Sequence, residues 1–157
     1  MPTTLEEWLS VVGKTYDDAG VQSLRARHGL AGKGPRVASY GDETFPSAGL
    51  NLMLIKGVVN GKPSKAIYGI TFYSTARGER VPYSAALPHS LRWEESQAAV
   101  RARLGPPKTT AQLVNSDGYV FGDYSLSVEY VADGSRIKVV QIRLDKEGGS
   151  VAGAAAK

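Results

Sequence analysis

The chain has 157 residues, of which 42% are hydrophobic and 22% charged, a composition typical of a soluble globular protein. It contains no cysteine, which excludes disulfide frameworks, thiolate metal sites and cysteine nucleophiles. Its 19 basic and 15 acidic side chains give a net charge of +4, spread along the chain instead of clustered in the basic stripe of a typical nucleic-acid binder. No apolar run reaches the roughly 18 residues of a membrane span, and the first eight residues lack a basic segment followed by an apolar one. We therefore expect a cytoplasmic protein with no membrane partner.

The first predicted elements are two helices. Thr4 and Glu7 fit a capping box at the start of an N-terminal helix, whose apolar positions share one face. Asp17 and Asp18 suit the positive end of a second helix, and Gly29 suits its left-handed end.

Two strands complete the first half of the chain. Residues 50–59 and 65–73 have strand-like patterns, and Asn60-Gly61 between them is a turn signal. Residues 74–92 are rich in Ser, Gly, Arg and Pro and connect the two halves.

The second half repeats this order. Trp93 precedes Glu94 and Glu95, which suit the positive end of a helix, and a short helical run follows that Gly105 and two prolines end. Asp117-Gly118 is predicted to open a hairpin. Residues 125–131 alternate as a half-buried antiparallel strand, and residues 137–144 return after an Asp-Gly turn.

The two halves resemble each other in sequence. Residues 16–29 share an aromatic, two acids, Arg-Ala-Arg and a final glycine with residues 93–105. The alternating leucines that begin at Leu50 match the strand that begins at Leu126, 76 positions later (126 − 50). Phe45 likewise matches Phe121. We predict an α+β fold with two tandem helix-plus-antiparallel-sheet units, about 1–76 and 85–145, and an extra N-terminal helix. Residues 1–145 form a single compact domain in this prediction, and residues 146–157 form a disordered tail.

Catalytic motifs are missing from the sequence. The two histidines, His28 and His89, are predicted to end a helix and to lie in a surface loop. The sequence contains no nucleophile elbow, no complete phosphate loop and no metal-ligand spacing. We therefore predict that the chain is not an enzyme and takes no cofactor or metal. A hydrolase or transferase that uses His89 is the weakest alternative.

The first sheet is predicted to present an unusual outer face. Asn51, Met53 and Ile55 alternate with the leucines, and Ile67, Thr71 and Tyr73 could share their face. Either other elements of the chain cover this apolar and aromatic surface, or a partner protein docks on it. The predicted partner-binding residues are Met53, Tyr68, Tyr73, Arg77, Tyr83, Tyr119, Asp123, Glu129 and Arg143.

A known pattern resembles the second half. It consists of Leu104-Gly105-Pro106-Pro107, Tyr124-Ser-Leu-Ser-Val128, Asp133-Gly134 and the strand Ile137–Leu144. This pattern is similar to the small α/β unit of the BamE lipoprotein family and of the tandem-repeat beta-lactamase inhibitor proteins. With Leu87-Pro88 ahead of it, the pattern also resembles small cytoplasmic immunity proteins of bacterial polymorphic-toxin systems. The chain lacks the lipidated cysteine of BamE.

The resemblance implies an immunity protein. Such a protein binds and neutralises a cognate bacterial toxin by covering its active site or a needed surface. The alternative is a small nucleic-acid-binding module, in which strand aromatics stack on bases and lysines contact phosphates. The residues for that alternative are Tyr68, Phe72, Tyr73, Lys56, Lys62, Lys65 and Arg77.

Overall fold

The structure is a computed structural model that describes residues 5–15, 18–28, 43–45, 49–59, 62–74 and 82–144. Three short helices and seven strands make up most of these residues. The helices are α1 (Leu5–Val11), α2 (Ala19–Arg27) and α3 (Gln97–Leu104). The strands are β1 (Glu43–Phe45), β2 (Leu50–Val59), β3 (Lys62–Tyr73), β4 (Thr109–Ala111), β5 (Ser116–Phe121), β6 (Tyr124–Tyr130) and β7 (Ile137–Leu144). A 3₁₀ turn spans Pro88–Ser90. The mixed α+β class is confirmed, and the predicted tail lies outside the described residues.

The strands form one antiparallel sheet in the order β1-β2-β3-β7-β6-β5-β4. Its centre is the pairing of β3 with β7, the last strand of each half of the sequence. Thr71 lies opposite Gln141 in this pairing, and Gln141 Nε2 donates a hydrogen bond to Thr71 Oγ1 over 3.1 Å. The two halves of the chain therefore contribute to a single sheet.

One face of the sheet forms the core. The alternation predicted for β6 is confirmed, since Leu126, Val128 and Tyr130 are all buried. Helices α1 and α2 pack on the same side of β2 and β3, where Val11 and Val21 line a small apolar cavity with Leu52 and Ile67. On α3, Val100 is buried.

A break in register changes the direction of side chains in the middle of β3. Met53 pairs with Gly69, but Leu54 pairs with Ile67, so Tyr68 has no residue opposite it. The extra residue is a β-bulge, which shifts the alternation by one position. Ile67 is consequently buried in the core, and the prediction that it lies on the outer face is wrong.

Side-chain caps determine where the two longer helices begin. Asp18 Oδ2 accepts a hydrogen bond from the backbone N–H of Val21, and Ser96 Oγ accepts one from that of Ala99. We expected the acids after Trp93 to lie at the start of α3. Instead Glu95 precedes the helix and accepts a hydrogen bond from the N–H of Arg92, because Ser96 takes the capping position.

Trp8 occupies the middle of the aromatic part of the core. Its ring is 5.4 Å from that of Phe72, 6.4 Å from that of Tyr83 and 4.9 Å from that of His28. Tyr83 is only 2% exposed. Its assignment as a partner contact was wrong, because the segment before α3 folds back onto the helix-covered face and buries this ring.

Tyr83 makes the stability of the fold sensitive to alkaline pH. Burial raises the pKa of Tyr83 to about 12, whereas an unfolded tyrosine ionises near about 10. Between these values the unfolded chain loses a proton that the folded chain keeps. The contribution of Tyr83 to the free energy of unfolding is therefore complete below about pH 10. Between about pH 10 and pH 12 it decreases by about 1.4 kcal/mol per pH unit. Urea unfolding from pH 8 to 11 should show this decrease, with a smaller slope in Tyr83→Phe; equal slopes would contradict the assignment.

Gly134 in the β6–β7 turn supports the start of α3. Its φ is +73°, its carbonyl accepts the N–H of Gln97 over 2.9 Å, and an added Cβ would lie 2.9 Å from Gln97 Oε1. We expect Gly134→Ala to lower the free energy of unfolding by about 2 kcal/mol. About half is the cost of positive φ, and the rest arises because Gln97 Oε1 can move away only if the hydrogen bonds of its Nε2 to Asn115 and Asp117 are disturbed. Gly122→Ala is the matched control. Its φ is +64° with no atom near the added Cβ, so it should cost about 1 kcal/mol. Urea unfolding measures both, and equal losses would contradict a role for the contact with Gln97.

Candidate functional site

The candidate site is the sheet face opposite the helices, which we name the outer face. Among the residues whose side chains the structure describes, it includes Thr71, Tyr73, Gly118, Val120, Ser125, Ser127, Glu129, Val139, Gln141 and Arg143. Among the residues that the structure describes, all three helices contact the other face. Strand alternation places the outer-face residues between buried neighbours such as Phe72, Val128 and Val140.

A row of small polar side chains crosses the middle of the outer face. Pairing in register joins Thr71 to Gln141, Gln141 to Ser127 and Ser127 to Gly118. Directly opposed residues in antiparallel strands have Cβ atoms about 5 Å apart. The row is therefore a polar strip on β3, β7 and β6, in which Thr71 is 3% exposed and Gln141 and Ser127 are half-buried.

Larger and charged side chains flank this strip. On one side Tyr73 lies opposite Val139, and Val139 lies opposite Glu129 on β6. The Glu129 carboxylate is 3.7 Å from the Lys138 ammonium. On the other side Arg143 lies opposite Ser125 and is exposed. The outer face thus combines an aromatic ring, an aliphatic side chain and charges of both signs.

Three of the predicted partner-binding residues share the outer face: Tyr73, Glu129 and Arg143. Asp123 is exposed in the turn between β5 and β6, and Tyr68 is half-buried at the bulge of β3. Arg77 and the side chain of Met53 lie outside what the structure describes. Tyr119 is 4% exposed and faces the helices. Its predicted surface role was wrong, because the register of β5 places it opposite the buried Leu126.

A buried carboxylate lies on the helix-covered side and was missed in the sequence. The Asp117 side chain is fully buried and accepts hydrogen bonds from Arg101 Nε at 2.7 Å and Nη2 at 2.8 Å. Gln97 Nε2 bridges Asp117 Oδ2 and Asn115 Oδ1. Hydrogen bonding to Asp117 raises the pKa of Arg101, and burial followed by the negative charge of Asp117 raises that of Tyr119. The bidentate pair holds α3 against β5.

The predicted hairpin at Asp117-Gly118 was placed incorrectly. Both residues lie within β5, and the turn spans residues 112–115 instead. An Asp-Gly pair favours turns, but a bidentate arginine on a neighbouring helix compensates the burial of this carboxylate in a strand. A polar cleft of about 430 Å³ borders the pair, between α3 and the turn.

His89 is more constrained than a surface loop residue. Its φ and that of Ser90 are both +56°, an uncommon conformation for residues with a side chain. The imidazole stacks on Phe121 at 4.4 Å, its Nε2 is 2.7 Å from Tyr124 Oη, and Arg103 donates to the backbone carbonyl. Burial and then the positive charge of Arg103 lower the pKa of His89. The expectation of a plain surface loop is corrected, because the stack with Phe121 half-buries the ring.

The His89 cluster lies away from the outer face and lacks the arrangement of a catalytic triad. Within residues 82–144, the hydrogen bond of the imidazole goes to Tyr124, and no carboxylate is bonded to the ring. Across the described ranges, no three His, Asp or Glu side chains lie close enough together to bind a metal. The described helices are also too short or too polar to cross a membrane.

Comparison with known proteins gives no relative. No family model, curated protein or solved structure matches the chain. The function must therefore be argued from the geometry of the described residues.

Proposed function

We propose that this chain is a cytoplasmic immunity protein that binds a cognate bacterial toxin through the outer face and neutralises it by covering its active site or a needed surface. The observation that carries the proposal is the outer face itself. It is a broad sheet surface, free of any described helix, on which Tyr73, Val139, Glu129 and Arg143 are at least partly accessible.

The side chains of the outer face suit a protein partner. Protein interfaces combine aromatic and aliphatic contacts with a polar, charged rim. Tyr73 and Val139 supply the first kind, and Glu129 and Arg143 supply the second. Because these residues project from hydrogen-bonded strands, binding would order few backbone groups, which lowers the entropic cost of association.

We further propose that the sheet consists of two tandem units. The pairs Leu50–Phe72 and Leu126–Ile142 occupy equivalent places in the two halves. The break in register after Met53 recurs after Glu129, 76 positions later (129 − 53). Phe45 lies opposite Leu50 just as Tyr119 lies opposite Leu126, so register favours Tyr119 as the match to Phe45.

The pairing of the two units suggests how a broad binding surface arises. Ile70 pairs with Ile142 and Phe72 with Val140, symmetrically about the Thr71–Gln141 pair. Two similar units related by this symmetry would share a twofold axis that passes through the Thr71–Gln141 pair, in the middle of the outer face. Both units would then contribute residues to one docking surface.

The nucleic-acid alternative has less support. Phe72 is completely buried against the helices, and Tyr73, its neighbour in β3, points to the other face. A stacking platform requires its aromatic rings on one accessible surface. One of the three rings proposed for that function is therefore inaccessible.

The test of the immunity proposal is co-expression with the product of the neighbouring gene. We expect this product alone to arrest growth of the host cell, and the present chain to restore it. The purified pair should co-elute in size-exclusion chromatography. Growth arrest that persists with the chain present at equal levels, together with separate elution, would contradict the proposal.

A further inference from the structure

The turn between β4 and β5 presents two adjacent apolar side chains to solvent. Leu113 is 102% exposed and Val114 is 54% exposed. The third large hydrophobic side chain exposed to a comparable degree within the described ranges is Val120, on the outer face. Leu113 and Val114 together form what we name the hairpin tip.

Neither the turn nor the core explains the hairpin tip. Turns favour Gly, Pro, Asn, Asp and Ser, which supply special backbone angles or local hydrogen bonds. Asn115 fits that rule, but Leu113 and Val114 do not. Leu113 buries no surface in the fold and Val114 only about half of its surface, so folding gains nothing from the hydrophobicity of Leu113 and only part of what Val114 could contribute.

The base of the turn is held in place by hydrogen bonds. The Asn115 carbonyl accepts the N–H of Tyr130 at 2.9 Å, and Asn115 Nδ2 donates to the Val131 carbonyl at 3.2 Å. Gln97 Nε2 donates to Asn115 Oδ1 at 3.1 Å. Because its base is fixed to β6 and α3, the hairpin tip is preorganised, and a partner would order few additional groups.

Polar groups surround the hairpin tip on both sides. The polar cleft, which Gln97, Arg101, Gln112 and Asp133 help to line, lies on the helix side. On the other side β5 continues into the outer face, where Ser116 pairs with Glu129. An apolar centre with a polar rim is the usual layout of an interface hot spot.

The charge beside the hairpin tip indicates the chemistry of the partner. Asp117 neutralises Arg101 through the bidentate pair. Within residues 82–144, Asp133 lines the cleft without a salt bridge. Hydrogen bonds from Ser135 and, to a smaller extent, the positive charge of Arg136 lower its pKa, so its carboxylate stays ionised at neutral pH. A basic group on the partner would complement this carboxylate.

We infer that Leu113 and Val114 insert into an apolar pocket of the toxin whose rim carries a lysine or arginine that meets Asp133. This inference rests on the proposed immunity function and adds the main contact, at the edge of the outer face. The partner it requires is a folded protein with an apolar pocket.

The test measures binding of Leu113→Ser to the product of the neighbouring gene by titration calorimetry. We expect the dissociation constant to rise at least about 30-fold, since truncation of a central apolar contact removes hot-spot energy. Urea unfolding should not change, because Leu113 contacts nothing in the fold. Ala85→Ser is the control: Ala85 is exposed in the segment before α3 and does not line the cleft, so this variant should bind within about threefold of wild type. Asp133→Asn should weaken binding about fivefold and reduce its dependence on salt.

The outcomes separate the inference from the immunity proposal. If wild type binds and Leu113→Ser binds equally well, the inference is overturned and the immunity proposal stands. If wild type does not bind or protect, both fail. If Leu113→Ser weakens binding but Asp133→Asn does not, the apolar anchor is supported and the basic rim is overturned.

Discussion

Replacement of Trp8 by alanine is expected to lower the free energy of unfolding by about 3–5 kcal/mol, the range for a large aromatic side chain removed from a core. The side chain is 1% exposed and lies against rings from three separate segments, those of Phe72, Tyr83 and His28. A cavity at this position would weaken the packing of α1, of the end of α2 and of the segment before α3 at once. Since domains of this size have only about 5–15 kcal/mol of stability, the variant should be close to unfolding at 37 °C.

Trp93→Ala is the matched control for this prediction. Trp93 is half-buried, and its Nε1 donates one hydrogen bond to the Tyr83 carbonyl at 3.0 Å. We expect it to cost about 1–2 kcal/mol, the sum of a partial burial and one hydrogen bond. Urea unfolding followed by far-ultraviolet circular dichroism measures both variants on the same scale. If the Trp93 variant lost as much stability as the Trp8 variant, the central place of Trp8 in the core would be refuted.

Local sequence patterns predicted the strands better than the interactions between them. The alternation of Leu126, Val128 and Tyr130 was sufficient to place β6 and its buried face, because one face of this strand is apolar and the other polar. The bulge at Tyr68 was not visible in the same kind of pattern. Ile67 and Tyr73 are both apolar enough for either face, so only pairing with β2 and β7 decides their directions.

The errors at the candidate site have a common physical cause. Tyr83, Tyr119 and Asp117 were assigned from their residue types, as exposed contacts or as a turn. Two of them contact segments that lie elsewhere in the sequence, since Trp8 packs on Tyr83 and Arg101 binds Asp117. Tyr119 faces the helices because its register with β6 places it opposite Leu126. Tyrosine suits both interfaces and cores, and an aspartate is tolerated in a core only when a partner such as arginine is present. Tertiary contacts of this kind leave no local signal in one sequence.

The hairpin tip has a local signal that could have been used. The segment Gln112-Leu113-Val114-Asn115 contains two apolar residues in a short connection between strands, where polar turn residues are usual. The hairpin was predicted at Asp117-Gly118 instead of residues 112–115, and Leu113 and Val114 were therefore not identified as loop residues. A correct turn position would have marked them as exposed.

Introduction of an arginine at Ser127 is expected to weaken toxin binding at least about 100-fold, or about 2.7 kcal/mol, while the protein stays folded. Ser127 lies in the middle of the outer face, opposite Gln141 on one side and Gly118 on the other. A long charged side chain there would project from the polar strip into a docked partner. The partner would have to move away or bury an unpaired charge, and either outcome opposes binding.

Ala102→Arg is the matched control for the outer-face prediction. Ala102 is exposed on α3, on the layer opposite the outer face, so the same charge and bulk are added to a surface that the toxin is not proposed to contact. Arginine is a good helix former, and this control should fold and protect cells like wild type. Calorimetric titration and growth rescue should separate the two variants, with urea unfolding as a check that Ser127→Arg is folded. A folded Ser127→Arg protein that binds and protects as well as Ala102→Arg would remove the outer face from the interface and leave the hairpin tip as the place to look for it.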